Sequence, residues 1–430
     1  MTDLTNFAIA NGMNALVLGT GAREHALAWK LTHSKKVEKV YLHPGNPGTQ
    51  KLGFETLGPQ AVDVESIALE AKKHHIQLVV IGPEMYLASG YAEKLRKYGF
   101  DVFGPNSESA MLETSKVFSK EFMQNSGIPT AQFFVVDDFQ RMTDATVKFP
   151  VVLKLDGLAA GKGVVIAEKK EDVLEFAERV FNKNEFGKGP HRVVFEEFIQ
   201  GVEVSLIGLC DGKSFYPLST ATDYKRVGDH GTGPNTGGMG VISPSPFESE
   251  TLLARVQKEV VEKVLQGLKT QELDYRGALY IGLMIKPDGS PYVLEFNARF
   301  GDPETQCLML RLESDLSDYA LATAQGKLDS LPPMKFSDQT SLYVVLAAEG
   351  YPGKVTTGDI ISGWDTLAKN FHIFFSGVSE TNGKLYTHGG RVLGVGTLSP
   401  NTEKARTSIY SEMKKIEFRG MHFRKDIGTT

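Results

Sequence analysis

The densest chemistry lies in the run Glu295-Phe296-Asn297-Ala298-Arg299-Phe300-Gly301-Asp302-Pro303-Glu304, which follows the strand-forming segment Tyr292-Val293-Leu294. Strand side chains alternate faces. Glu295, Asn297 and Arg299 therefore share one face, and Leu294, Phe296, Ala298 and Phe300 the other. The polar face presents a carboxylate, an amide oxygen and a fixed cation in a row. Hard cations such as Mg²⁺ take oxygen ligands, partly from protein and partly from phosphate and water. A guanidinium matches carboxylate or phosphate. Taken alone, the segment reads equally well as a half-exposed strand whose Glu and Arg pair with each other.

Other segments favour anions. Gly19-Thr20-Gly21-Ala22-Arg23-Glu24 begins like a dinucleotide fingerprint, but Glu24 stands at the third glycine and the next strand ends in His43-Pro44 without a ribose-binding acid. This argues against NAD and leaves an anion site at a helix N-terminus, with Arg23 beside it. Lys154-Leu155-Asp156-Gly157-Leu158-Ala159-Ala160-Gly161-Lys162-Gly163 has the wrong spacing for a Walker A loop, and Gly163 occupies the Ser/Thr position. Flanked by β-branched residues, it reads as a hairpin flap whose small residues let backbone N–H groups approach phosphate. Glu196-Glu197-Phe198-Ile199 ends a strand with two acids and two apolar residues, a hinge that could frame a planar base, with Glu203 near a sugar. Without context, a surface strand end is the stronger reading. Asp223-Tyr224-Lys225-Arg226 opens a long Gly-rich loop to Gly240, and its two cations suit phosphate.

These segments need a scaffold. Strands at 14–19, 37–42 and 77–81 alternate with helices at 24–32 and 64–74, which predicts a small parallel sheet with Gly-rich turns at its strand ends. A helix at 116–125 precedes a βαββ-type unit with strands 151–155, 163–167 and 192–195 and a helix at 172–181. Strands 201–209, 214–218, 279–285 and 292–296 predict an antiparallel sheet, interrupted by a helix at 250–266 and followed by one helix over 305–324. Leu331-Pro332-Pro333 marks a boundary before a small α+β unit. The expected division is a disordered extension 1–12, with Met13 an alternative start, then domains 13–114, 115–333 (lid about 127–198) and 334–430.

Composition narrows the class. At 430 residues, 41% apolar and 23% charged, the chain has the make-up of a soluble globular protein of about three domains. A net charge of -5 argues against non-specific nucleic-acid binding. No run is apolar enough for a membrane helix, and the first twelve residues do not resemble a targeting signal. Cys210 and Cys307 read as buried thiols, which suits a cytoplasmic location.

Taken in order, these motifs, with Gly21-Ala22-Arg23-Glu24-His25-Ala26, Pro44-Gly45-Asn46, Gly82-Pro83-Glu84 and the closing Arg424-Lys425-Asp426-Ile427-Gly428, resemble the ATP-grasp ligases, and more narrowly the phosphoribosylamine–glycine ligase family. The resemblance spans nearly the whole chain. It implies an ATP-grasp fold of mixed α/β and α+β class: an N-terminal parallel α/β (pre-ATP-grasp) domain, a mobile lid and a small C-terminal α+β domain. It also implies that ATP phosphorylates glycine and that 5-phosphoribosylamine attacks the glycyl phosphate, as in purine biosynthesis. ATP and Mg²⁺ or Mn²⁺ would be required, and the chain would act as a monomer.

By the same resemblance, Lys116, Lys154, Gly157, Gly161, Lys162 and Gly163 contact ATP phosphates. Glu196, Glu197, Phe198 and Ile199 frame adenine, and Glu203 the ribose. Glu295 and Asn297 hold metal. Arg299 takes the glycine carboxylate, with Gly301 and Asp302 beside it; Lys225 joins Arg299 and Asp302 as the catalytic set. Gly21, Arg23, Glu24, Gly45, Asn46, Gly82, Glu84, Asp223 and Arg226 surround phosphoribosylamine. The chain departs from the family at Tyr224, where His is usual, and at Ala298, where Cys is common. Strand 279–285 also lacks the second metal-binding acid of many relatives.

Overall fold

The computed structural model describes residues 12–158 and 163–429. Most of the expected extension, together with Gly161 and Lys162 in the flap, lies outside the described residues.

The first unit is a four-stranded parallel sheet in the order Val37–Pro44, Met13–Gly19, Ile76–Ile81, Asp101–Phe103. The central strand is buried from Ala15 to Leu18, as its unbroken apolar run requires of a sheet covered on both faces. Gly19 pairs with Pro44 and Leu18 with Ile81, so the turns after three strands lie along one edge.

The lid sheet is antiparallel, in the order Phe133–Val136, Val193–Glu197, Val151–Leu155, Val164–Ala167. It holds one strand and one helix, Phe139–Asp144, more than the sequence pattern predicts. Phe133–Val136 escapes the pattern because it does not alternate: Phe134 is exposed and stacks on Phe195 at 4.8 Å. Lys154 pairs with Val164, so the Gly-rich segment between them joins two antiparallel strands and opens no helix.

The third sheet has eight strands: Pro291–Asn297, Gly277–Ile285, Val202–Cys210, Phe215–Asp223, Gly240–Ser243, Thr340–Ala347, Arg391–Ser399 and Phe371–Phe375. The last three follow Leu331-Pro332-Pro333, so the sheet continues through Gly240–Val344 pairing into the C-terminal part. Two expectations need correction. Residues 305–324 form two helices, Glu304–Arg311 and Leu316–Gln325. The chain extends at Leu312 (φ -65, ψ 119), and Asp315 caps the second helix by accepting from the Ser317 N–H at 3.0 Å. Strand Pro291–Asn297 carries a bulge: Val293 pairs with Leu283 but Glu295 with Gly282, leaving Leu294 unpaired. Val293 and Phe296 are core, whereas Leu294 is only half-buried and lines the site.

Candidate active site

A cavity of about 270 Å³ lies between the lid, the helix Lys116–Asn125 and the strand Pro291–Asn297. Its cationic wall begins on that helix, where Ser115 caps the first turn by accepting from the Phe118 N–H at 3.1 Å. Lys116 and Lys120 are one turn apart and share a face. Lys116 Nζ donates to the Gly157 carbonyl at 3.0 Å, fixing the base of the flap. Lys154 Nζ donates to the carbonyl of the bulged Leu294 at 3.0 Å. Between them sits Glu196, 2% exposed, 2.9 Å from Lys120 and 3.0 Å from Lys154. Burial draws the Lys120 ammonium down to about 8 although Glu196 opposes the shift. Burial lowers Lys116 as well.

Glu295 faces these cations. Burial pushes its carboxyl up, but Lys225, Lys154 and Lys116 outweigh that and hold it below its ordinary value. Among the described residues its side chain makes no hydrogen bond or ion pair. An anionic carboxylate without a partner, beside the Asn297 amide on the same wall, fits the oxygen donor set of a divalent cation. Arg299 does not pair with Glu295. Its Nη2 meets Glu113 at 2.8 Å and its Nε lies 3.5 Å from Glu84. Glu113 also accepts the Ala298 N–H at 2.8 Å, which locks the start of the turn after the strand. Burial raises the Glu113 carboxyl, with Arg299 opposing.

The far end of the cavity is built by the 223–240 loop and the 300–304 turn. Lys225 ion-pairs with Glu203, the residue expected at a ribose. Asp223 Oδ1 is buried without a hydrogen-bond partner among the described residues, and burial together with Glu304 raises its carboxyl well above the ordinary value. Asp302 accepts from Arg391 Nη2 and from Gln306 Nε2, each at 2.8 Å. Arg226 turns away to the Gly233 carbonyl at 2.8 Å. Tyr224 also points away: its hydroxyl donates to the Thr429 carbonyl at 3.0 Å, and Arg424 lies 5.0 Å from its ring.

The N-terminal turns are braced by Glu24. It is 2% exposed, accepts the Gly21 N–H at 2.7 Å and meets Arg23 Nε at 2.5 Å. A Cβ at Gly19 or Gly82 would collide with its side chain, so both glycines are required by close approach. Arg23 reaches the Phe300 carbonyl at 3.2 Å, joining this edge to the 300–304 turn. Asn46 spends its amide on the Thr20 and Phe375 carbonyls and its oxygen on the Thr49 N–H. Gly45 N–H donates to the Gly19 carbonyl at 3.1 Å.

The cavity thus brings together Lys116, Lys154, Gly163, Glu196, Glu295, Asn297, Arg299, Asp302, Lys225, Asp223 and Glu84 of the residues named from sequence. Gly157, Glu197, Phe198, Ile199 and Glu203 are not on its wall, nor are Gly21, Arg23, Glu24, Gly45, Asn46, Gly82, Arg226 and Gly301. Lys120, Glu113 and Glu304 line it without having been singled out. The spacing of Lys120 four residues after Lys116 is a readable signal for the first. Glu113 and Arg391 carry no local signal.

Comparison with known proteins identifies the family. Three family models cover the chain: the N domain of phosphoribosylglycinamide synthetase matches residues 13–113, its ATP-grasp (A) domain 114–305 and its C domain 341–430. A phosphoribosylamine–glycine ligase of Pasteurella multocida is 42% identical over 422 residues, covering 97% of each chain. The crystal structure of phosphoribosylamine–glycine ligase from Thermotoga maritima superposes with a TM-score of 0.84 at 35% identity, covering 96% of this chain and all of that one. A biotin carboxylase domain from Hydrogenobacter thermophilus, 17% identical with a TM-score of 0.71 over 95% of this chain and 91% of its own, shares the fold. The chain belongs to the phosphoribosylglycinamide synthetase family of ATP-grasp enzymes, whose curated members are named phosphoribosylamine–glycine ligase.

Proposed function

We propose that the chain joins glycine to 5-phosphoribosylamine with cleavage of ATP, forming glycinamide ribonucleotide, ADP and phosphate in purine biosynthesis. The carrying observation is the convergence of Lys116, Lys154 and Lys225, from a helix, the lid and a long loop, around an anionic Glu295 that has no partner among the described residues. In the first step a glycine carboxylate oxygen attacks the γ-phosphorus, and the bond to the bridging oxygen breaks as ADP leaves. In the second the amine nitrogen attacks the acyl carbon, the carbon–oxygen bond to phosphate breaks, and the nitrogen sheds a proton. Such chemistry needs alignment and charge neutralisation above all.

Lys116 and Lys154 neutralise the ATP phosphates, with Gly157 and Gly163 at the flap's base and Gly161 and Lys162 completing it. The hinge Glu196-Glu197-Phe198-Ile199 takes the adenine. Glu203 exchanges Lys225 for ribose hydroxyls, and Lys225 is then free for phosphate. Glu295 and Asn297 would hold Mg²⁺, with Mn²⁺ an alternative, and the ion would supply charge neutralisation for the phosphates. Arg299, held by Glu113 and Glu84, keeps a second N–H on each terminal nitrogen for the glycine carboxylate. Asp302 and Gly301 flank that position. Asp223 and Glu84 face the amine, and the turns at Gly21, Arg23, Glu24, Gly45, Asn46 and Gly82, with Arg226, enclose its ribose phosphate. The chain is proposed to act as a monomer.

The test is ADP release with Mg²⁺, ATP, glycine and freshly generated phosphoribosylamine, each omitted in turn. Release that needs both glycine and the amine is expected. Release with another acid–amine pair in place of this one, or ATP binding without turnover, would overturn the assignment.

A further inference from the structure

The C-terminal part of the chain contributes little to the cavity wall, yet it grips the segments that form the cavity's far end. Arg391, on strand Arg391–Ser399, donates from Nη1 to the Gly237 carbonyl at 2.5 Å and to the Asp302 carbonyl at 3.0 Å. Its Nη2 meets Asp302 Oδ2 at 2.8 Å. Tyr351, from the same part of the chain, accepts the Gly237 N–H at 2.9 Å. Both backbone polar groups of Gly237 are thus held by C-terminal side chains. A Cβ at Gly237 would stand 3.1 Å from the Arg391 guanidinium carbon, and one at Gly238 would collide with Pro303. The 237–238 turn is therefore pressed against the 302–303 turn, and Arg391 is the fork that fastens one to the other. Gly237 and Asp302 both line the cavity. A Cβ at Gly21 would lie 3.9 Å from Asp302 Oδ2, so the N-terminal anion turn abuts the same point.

A second clamp acts on the outer half of the loop. The closing motif places Arg424 and Asp426 in a buried bidentate pair, with distances of 2.8 and 2.6 Å. Arg424 Nη1 donates to the Arg226 carbonyl at 3.1 Å, and Asp426 accepts the His230 N–H at 2.8 Å. The loop that carries Asp223 and Lys225 is thus fastened at both ends to residues more than a hundred positions later in the chain.

We propose that Arg391 is a positioning residue for amine transfer: it sets the 237–238 turn and Asp302 as one wall of the site for the sugar-phosphate amine, and has no part in holding the nucleotide. The proposal rests on the ligase reading for the identity of the amine, but the loop's dependence on Arg391 can be read without turnover. Lysine cannot reach both carbonyls and the carboxylate with a single ammonium. Arg391→Lys, with Tyr351→Phe as a milder variant that removes only the Gly237 acceptor, separates the cases. Two readouts on the full chain are compared: steady-state kinetics and amide hydrogen exchange of the peptide covering residues 232–240.

Arg391→Lys is expected to raise the KM for the amine about tenfold or more and to lower kcat, while the KM for ATP stays within about twofold. The 232–240 amides should exchange faster, and Tyr351→Phe should shift both readouts less in the same direction. Unchanged exchange in both variants, or a KM for ATP that rises in step with that for the amine, would overturn the proposal. A wild-type chain without glycine- and amine-dependent ADP release would instead remove the ligase reading, while the exchange comparison would still decide whether Arg391 fixes the loop.

Discussion

Replacing Glu196 by glutamine keeps the shape of the lid and removes one charge from its hinge. The carboxylate is 2% exposed and lies within 3.0 Å of two ammonium groups, one of them equally buried. Deleting one partner of a buried ion pair costs about 3–5 kcal/mol, because the remaining charge is left uncompensated. Here each lysine retains a neutral acceptor: Thr130 Oγ1 at 2.7 Å for Lys120 and the Leu294 carbonyl at 3.0 Å for Lys154. Lys120, already drawn down to about 8, can also shed its proton near neutral pH at a cost of roughly 1.4 kcal/mol per unit. Both features favour the lower end, about 3 kcal/mol, or a drop of about 6–12 °C in the melting temperature of a domain of this size. Scanning calorimetry at pH 7.5 reads this against Glu197→Gln, an exposed neighbour expected to stay within about 0.5 kcal/mol. The KM for ATP should rise in Glu196→Gln as Lys154 loses its lateral anchor. Equal melting temperatures in the two variants would refute the claim that Glu196 is the charge holding the two lysines.

Glu295→Ala should abolish turnover yet shift the melting temperature by less than Glu196→Gln, since the Glu295 side chain makes no hydrogen bond or ion pair among the described residues; full activity would remove the metal assignment. Gly82→Ala should cost about 1–3 kcal/mol by overpacking, because the new methyl meets Glu24, and should raise the KM for the amine; wild-type stability would mean that Glu24 can move aside. His25 is buried among Phe54, Phe374 and Phe375, and its Nδ1 accepts the Phe375 N–H at 3.0 Å. Burial lowers it from 6.5 to about 3, so between those values the unfolded chain binds the extra proton and the folded one does not. Stability must then fall as pH drops from 6.5 towards 3, by up to about 4–5 kcal/mol in total. A His25→Gln variant whose melting temperature keeps the wild-type pH slope in that window would count against this.

The parallel sheet was legible because its strands are unbroken apolar runs separated by amphipathic helices, and the flap because β-branched residues flank its glycines on both sides. Glu295 and Asn297 could be placed on one face because they alternate along a clearly patterned strand; that Lys154 joins them was implied only by the family resemblance. The bulge at Leu294 was not legible, since alternation presumes regular pairing and nothing local marks the register shift opposite Gly282 and Leu283 on the preceding strand. Phe133–Val136 was missed because a short strand with an exposed aromatic has no period. Glu113 and Arg391 were missed for a deeper reason. Each acts through residues brought to it only by the tertiary fold: Glu113 through Arg299 and the Ala298 N–H, the latter 185 positions away, and Arg391 through Asp302, 89 positions away.

That division has a chemical logic. Groups that would meet phosphate or metal sit on short, strongly patterned elements, where a rigid backbone fixes their direction. The groups that set their charge come from elsewhere: Glu196 between Lys120 and Lys154, Glu113 and Glu84 on Arg299, Arg391 on Asp302. Four lysines and an arginine crowded around one small cavity would repel one another strongly without such partners. The carboxylates beside them hold Lys120, Lys154 and Arg299 in place while leaving the cavity face free for anions. Glu295 is the exception, an anion facing inward among the cations, and it is the one carboxylate of this set whose side chain has no protein partner among the described residues. A metal ion between it and the phosphates of a nucleotide would complete the alternation of charge that the rest of the wall already shows.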